Sequence, residues 1–393
     1  MSHLEDIEDA VQSALLGALE TWPIQGLPDN PSAWLFRVAQ NRVLGELRQR
    51  SNRRRILEER VFKDEPLVTE EEATFGENEI RDDLLRMLFV CCDESIPQES
   101  QLVLALKTLC GFDVREIADR LFTSEANVYK RLGRARTQLR SGGIELLEIP
   151  SDCYPKRRPA VLQTLYLLFT EGYFSSHSEL VIRRELCDEA IRLSRIMAEH
   201  PVGQGPDCYA LLALMHFQVA RIESRCGAAG ELLLLEEQDR KQWDCDLIKQ
   251  GMSWLAQSAE GSDFTRFHAE AGVAAEHCLA SSFEETRWDR IVACYELLEQ
   301  ISPSPLHRLN RAVAMAEWQG AHQGLEILDG WEPPSWLLGS YQWLAVLADL
   351  HRRCERKESS KRYRKLALEA APNSAVRELL QRRLYGKTRA LRT

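Results

Sequence analysis

Residues 97–141 limit most sharply what this chain can fold into. The stretch PQESQLVLALKTLCGFDVREIADRLFTSEANVYKRLGRARTQLRS reads as a helix, a short helix, a tight turn and a long basic helix. Asp113, with Glu116 three residues on, is a variant of the capping box, and it starts a helix whose inward positions are Ile117, Ala118 and Leu121. Thr123 or Ser124 caps the next helix, in which Val128, Leu132, Ala135 and Leu139 recur at i, i+4, i+7 and i+11 as one apolar stripe. The other face carries Lys130, Arg131, Arg134, Arg136 and Arg140 against the single carboxylate of Glu125. A helix-turn-helix needs this division of labour. Its second helix buries one stripe, lays its first turn (Glu125, Asn127, Val128, Lys130, Arg131) in the major groove and sets a basic flank on phosphates. An amphipathic hairpin with a solvated basic face has the same pattern, because helix-turn-helix signatures are short and degenerate. Phe122 stands where many such turns carry glycine.

The chain of 393 residues is long enough for two or three domains with full cores. Its net charge of −10 argues against a protein that simply coats nucleic acid, so positive charge must act locally. Arg42 to Arg55 holds six arginines against one glutamate, and Glu125 to Arg140 nets four positive charges. Between them Glu58 to Asp83 is strongly acidic. Two basic patches separated by an acidic linker suit contact with DNA at two places. No run of 18 apolar residues appears and residues 1–20 are acidic and amphipathic, so the expectation is a cytoplasmic protein with no membrane partner. The 11 cysteines follow no regular framework and contain no C-x-x-C pair, which favours buried thiols in a reducing compartment over zinc or redox chemistry at Cys91-Cys92. There is no H-E-x-x-H, G-x-S-x-G, P-loop or dinucleotide fingerprint, and the nine histidines have no ligand spacing. The expectation is therefore no enzyme, no cofactor and no metal.

The sequence E-I-A-D-R-L followed by S-E-A-N-V-Y-K-R-L-x-R-A-R resembles the second DNA-binding domain of bacterial extracytoplasmic-function sigma factors. That resemblance implies reading of the −35 promoter element through Ser124, Glu125, Asn127, Val128, Lys130, Arg131, Arg134 and Arg136. Asn127, Lys130 and Arg131 would touch bases, and Arg134 and Arg136 phosphate. Upstream, D-x-E-D-A-V-Q, P-x-x-W-L-F-R-V-A-x-N-R and L-R-Q-R-S-N-R-R resemble the latter part of the first sigma domain. By this resemblance Asp6, Glu8, Asp9 and Gln12 face core RNA polymerase, while Trp34, Arg37, Asn41, Arg42, Arg48 and Arg53 lie at the −10 DNA. Strand opening needs a surface that stacks unpaired bases while arginines hold phosphate. Trp34 has apolar neighbours and equally suits a core position. The chain starts almost on the D-x-E-D-A motif, one helix short of the family pattern, so either the true start lies upstream or the first domain is shortened, and a partial region 2 domain is expected here.

From about residue 155 the chain reads as helical throughout and holds seven of the nine tryptophans. Leu344, Leu347 and Ala348, then Ala367 and Pro372, match the tetratricopeptide pattern of about 34 residues. Leu309, Ala312, Ala314, Gly320 and Leu325 suit the unit before, and Trp288, Tyr295 and Pro303 the end of an earlier one. Such helix pairs must stack to bury their faces. FTEGYFSSHSEL (169–180) and ELLLLEEQDRKQWD (231–244) are not generic repeat, and with the domain order they resemble one group of these sigma factors with a fused repeat-like domain. Glu171, Tyr173, Glu237, Gln238, Asp239, Arg240 and Trp243 form a polar and aromatic set that would dock this domain on the DNA-binding domains, bind a regulatory protein or ligand, or only cap the apolar helices.

The expected fold is all-α, in five parts. Residues 1–57 form a partial sigma region 2 domain, 58–80 an acidic linker, 81–141 a region 4 helix-turn-helix domain, 142–158 a connector and 159–393 the repeat-like domain. The expected function is promoter-specific transcription initiation with core RNA polymerase and promoter DNA as partners. The rivals are a DNA-binding regulator without productive polymerase binding and a helical-repeat scaffold.

Overall fold

The computed structural model describes residues 3–28, 82–141, 152–175, 182–201, 203–227, 231–261 and 263–385, with single positions at 31, 34, 35, 38, 39, 42 and 149. Every regular element among them is helical. Residues 1–76 with 136–145 make one compact unit, and 77–135 with 146–393 make another. The acidic linker expected at 58–80 lies outside the described residues.

In the first unit, α1 (His3–Gln25) buries Ala10, Ala14 and Ala18 along a four-residue seam. The small side chains let a neighbour approach closely, and Trp22 meets Trp34 edge to face with centroids 5.5 Å apart. Val11, Leu15 and Leu19 flank this seam and are exposed, because the alanines take the packing contact.

The second unit starts with α2 (Asp83–Cys91), capped by Asp82, whose side chain accepts from Leu85 N at 2.9 Å. Next come α3 (Gln98–Thr108), α4 (Val114–Arg120) and α5 (Glu125–Ser141), which runs to the boundary of the unit and beyond. Gln101 donates to the carbonyls of Asp93 (2.7 Å) and Ile96 (2.9 Å), fixing the turn between α2 and α3. Then α6 (Tyr154–Tyr173), α7 (Arg184–Glu199), α8 (Pro206–Val219) and α9 (Cys245–Ser258) cluster around α8. Its sequence PDCYALLALMHFQV has no polar face, and it is buried nearly all round.

Helices then follow that pack in consecutive pairs: α10 (Arg266–Leu279) with α11 (Trp288–Ile301), α12 (Pro305–Trp318) with α13 (Ala321–Leu328), and, after the short α14 (Ser335–Leu338), α15 (Tyr341–Arg353) with α16 (Lys357–Glu369). Gly324 is required in the second pair, where a Cβ would stand 2.6 Å from the Ala312 carbonyl oxygen. The last helix, α17 (Ser374–Tyr385), is tied back to the 231–244 loop by Arg382, which donates to the Leu232 carbonyl and pairs with Glu237 at 3.6 Å.

Helix α6 also packs on α2 and α3. Tyr154 meets Phe89 edge to face at 5.0 Å, and Arg157, buried, pairs with the Asp93 carboxylate and donates to the Phe89 carbonyl at 3.2 Å. Residues 82–135 and the C-terminal helices thus share one core. Leaving Asp93 buried without its cation should cost about 3–5 kcal/mol, so Arg157→Met should lower the melting temperature strongly. The double variant Arg157→Met/Asp93→Asn should recover part of the loss, as measured by thermal unfolding.

Burial holds His216, His268, His307 and His351 below the usual imidazole range, and burial followed by the charges of Arg221 and Arg240 brings His277 to about 3. The folded chain rejects a proton that the unfolded chain accepts below about 6.5. This contribution to stability is full above that pH and is lost as pH falls from there toward 3. His277 alone should account for roughly 1.4 kcal/mol between pH 7.5 and 5.5, checked by the change in melting temperature in wild type and His277→Phe.

Candidate nucleic-acid interface

The turn between α4 and α5 is built by local hydrogen bonds. Asp113 accepts from Glu116 N at 2.7 Å while the Glu116 carboxylate accepts from Asp113 N at 2.7 Å, a complete capping box that starts α4. Phe122 then takes φ +50°, the left-handed conformation that glycine fills at no steric expense, at a penalty of about 1–2 kcal/mol for another residue. Asn127 N donates to Ser124 Oγ at 3.3 Å and Asn127 Nδ2 to Thr123 Oγ1 at 3.1 Å, which fixes the first turn of α5.

Along α5, Val128, Leu132 and Ala135 are buried, while Ser124, Glu125, Asn127, Lys130 and Arg134 are exposed. Val128 was expected in the groove set, but its side chain is fully buried in the motif's core and so faces away from that surface. Arg131 reaches Glu99 of α3 at 2.5 Å, and Arg136 is half-buried with an interaction of its own. Glu99 is 71% exposed while Arg131 is half-buried, and a pair open to solvent at its carboxylate contributes only about 0–1 kcal/mol. Tyr129, exposed beside Lys130, was not singled out from the sequence because a tyrosine in a basic helix carries no pattern.

In the first unit, Asp9 and Gln12 are exposed on α1, Arg42 is exposed and Trp34 is half-buried against Trp22. The side chains of Asp6, Glu8 and Arg140, and all of Arg37, Asn41, Arg48 and Arg53, lie outside the described residues.

Among the described residues, Arg120, Glu116 and Phe122 join the helix-turn-helix to the C-terminal helices. Arg120, at the end of α4, pairs with Glu171 and donates to the Phe174 carbonyl at 2.8 Å. Glu171 is 0% exposed, and its other oxygen accepts from Ser175 Oγ at 2.8 Å. The second oxygen of Glu116 accepts from Arg183 at 3.1 Å, so the capping box is held from outside the motif. Phe122 stacks on Trp336 of α14, with centroids 4.5 Å apart and planes at 28°. Gly172 permits the close approach behind Glu171, since a Cβ there would lie 2.7 Å from Cys187 N. Arg120, Arg183 and Trp336 were not legible in the sequence: their partners lie 51, 67 and more than 200 residues away, and no periodicity links them.

The rest of the polar set stays inside the C-terminal helices. The Arg225 guanidinium lies 3.9 Å from the centroid of the Tyr173 ring. Glu237 accepts from Leu234 N at 2.7 Å, Asp239 from Lys241 N at 3.0 Å, and Gln238 Oε1 is buried without a hydrogen-bond partner among the described residues. Trp243 is buried between the sequence positions of Arg240 and the start of α9, with Arg221 and Arg240 both against its ring. Among the described residues no group of three His, Cys, Asp or Glu side chains could hold a metal ion. All 11 cysteines are free thiols, and burial pushes Cys91, Cys110, Cys187 and Cys208 up to about 12, where they are unreactive. No helix among the described residues is long and apolar enough to cross a membrane.

Comparison with known proteins agrees with this arrangement. Residues 1–53 match Sigma-70 region 2, residues 86–139 match Sigma-70, region 4, and residues 157–259 match a family of unknown function (DUF6596). An uncharacterized protein of Rhizobium meliloti (strain 1021) is 32% identical over 384 residues, covering 95% of this chain and 89% of its own length. No solved structure matches the chain.

The stack of Phe122 on Trp336 should be worth about 0.5–1.5 kcal/mol beyond burial. Phe122→Gly relieves the backbone but loses the ring, whereas Trp336→Ala loses the ring alone. A double-mutant cycle by chemical denaturation should therefore give a favourable coupling of that size, and additivity of the two changes would show that the rings do not cooperate.

Proposed function

Because the chain belongs to the extracytoplasmic-function sigma factors, in the group with a fused C-terminal helical domain, we propose that it binds core RNA polymerase and directs it to a particular set of promoters. A role of the sigma-factor type in transcription initiation follows from the family. The finer reading rests on one observation above all: α5 buries Val128, Leu132 and Ala135 and leaves Ser124, Glu125, Asn127, Lys130 and Arg134 exposed at the end fixed by the turn. A rigid helix end carrying polar and basic side chains is what reading in the major groove requires.

In this reading Asn127 and Lys130 touch base edges of the −35 element, with Glu125 and Ser124 beside them. Arg134 and Arg136 hold phosphate, and Arg131 joins after leaving Glu99. Since Asn127 Nδ2 already donates to Thr123, its Oδ1 is the atom left to accept from a base amino group. The exposed leucines of α1, together with Asp9 and Gln12, form a surface suited to the polymerase, because a contiguous apolar face on a small unit marks an interface. Trp34, Arg37, Asn41, Arg42, Arg48 and Arg53 act at the −10 element. The protein works where the polymerase is, in the cytoplasm. The C-terminal helices modulate this work through Arg120, Glu116 and Phe122, which set the pose of the turn from which α5 projects.

DNA binding separates these roles. Against a promoter fragment and an unrelated duplex, Asn127→Ala and Lys130→Ala should each lose about 1–3 kcal/mol on the promoter and much less on the unrelated duplex. Arg134→Ala should weaken both alike and reduce the slope of log K against log salt by about one. Equal losses on both duplexes for Asn127→Ala and Lys130→Ala would remove them from base reading. Glu171→Gln should weaken promoter binding while leaving the salt slope unchanged, since no phosphate contact is lost.

A further inference from the structure

The 231–244 stretch brings two arginines to one aromatic ring within the C-terminal helices. Arg221, just after α8, and Arg240 both lie against the indole ring of Trp243, at 5.2 and 4.7 Å from its centroid, so their guanidinium carbons are within 10 Å of each other. Arg240 is fixed at the end of α10, where it donates to the carbonyls of His277 and Ala280, each at 2.7 Å, and to Thr286 Oγ1 at 3.3 Å. Arg221 is only 8% exposed, and among the described residues its Nε is buried with no hydrogen-bond partner. Trp243 Nε1 and His277 Nδ1, in the same junction, are also buried without a partner among the described residues. Among the described residues neither arginine is in an ion pair with a carboxylate, and the charge that acts most on Arg240 is that of Arg221.

A buried guanidinium is normally matched by an anion, because removing it from water is expensive and a ring face returns only part of that loss. Here two cations share one ring, and polar atoms at their edge lack acceptors or donors. A group with several oxygens and negative charge would match the arginine forks and accept from the indole N–H at once.

We propose that the junction of Arg221, Arg240, Trp243 and His277 is a binding site for a small oxyanion, a phosphate, phosphomonoester or carboxylate group. Arg221 supplies the main charge-assisted contact and Arg240, already held by α10, the second. Occupation would tie the end of α8 to the end of α10 across the 231–244 loop, which Arg382 also ties to the last helix. The proposal concerns ligand binding and does not depend on DNA or polymerase recognition.

The test uses the full chain. Thermal unfolding is followed at fixed pH while sodium phosphate, glycerol phosphate or sodium succinate is titrated against sodium chloride at matched ionic strength. At least one oxyanion should raise the melting temperature saturably by a few degrees. The rise should vanish in Arg221→Gln, shrink in Arg240→Gln and persist in Arg134→Ala, which removes a phosphate-binding candidate on α5. Arg221→Lys keeps the charge but not the fork, and should bind at least ten-fold more weakly even if Arg221→Gln folds poorly. A response to both phosphates but not succinate assigns a phosphate group, and a response to succinate alone assigns a carboxylate. No saturable rise with any of the three, or a rise retained in Arg221→Gln, would overturn the proposal.

Discussion

The ion pair between Arg120 and Glu171 is the contact on which the arrangement of the second unit depends. A carboxylate with no exposed surface is unfavourable inside a protein unless a cation and further donors meet it, and here the arginine, Ser175 and a glycine-lined approach meet those needs together. Removing either partner of such a pair costs about 3–5 kcal/mol, so the pair acts less as an adhesive than as a rule about what else can be present. Helix α6 must end near Phe174, and α4 must end beside it. With the end of α4 placed, the left-handed residue Phe122 turns the chain, and its ring finds Trp336. The direction of α5 follows from these constraints in sequence.

This chain of constraints explains how an acidic protein presents a basic reading surface. Much of the net charge of −10 falls in the stretch from Glu58 to Asp83, while the exposed part of α5 keeps Lys130 and Arg134 in solvent. Arg131 pairs with Glu99, whose carboxylate is largely exposed. The low-pKa histidines and several arginines bonded to carbonyls belong to the C-terminal helices, where they fix helix ends.

Much of this was legible in the sequence, and the reasons differ by element. The capping box at Asp113 and Glu116, the stripe from Val128 to Ala135, the turn at Gly320 within one helix pair and Pro372 after another are local patterns, and local patterns survive into the fold. Val128 shows the limit: one residue cannot both fill the stripe and face the groove, and packing decides for the stripe. Of the polar set, Glu171 reaches the helix-turn-helix, whereas Tyr173 and the residues from Glu237 to Trp243 bond among the C-terminal helices. That division depends on partners distant in sequence, and a polar residue gives no sign of which distant neighbour will satisfy it. Along α1, alanines rather than leucines take the seam, because close approach was worth more there than side-chain volume.

The central claim is that this chain is a working promoter-recognition subunit, and the most direct measurement is co-purification of the full-length chain with bacterial core RNA polymerase followed by transcription from a pool of promoters. Stable association with transcripts confined to a defined promoter class is the predicted result. A chain that binds DNA sequence-specifically yet neither associates with the polymerase nor supports any transcript would contradict the account.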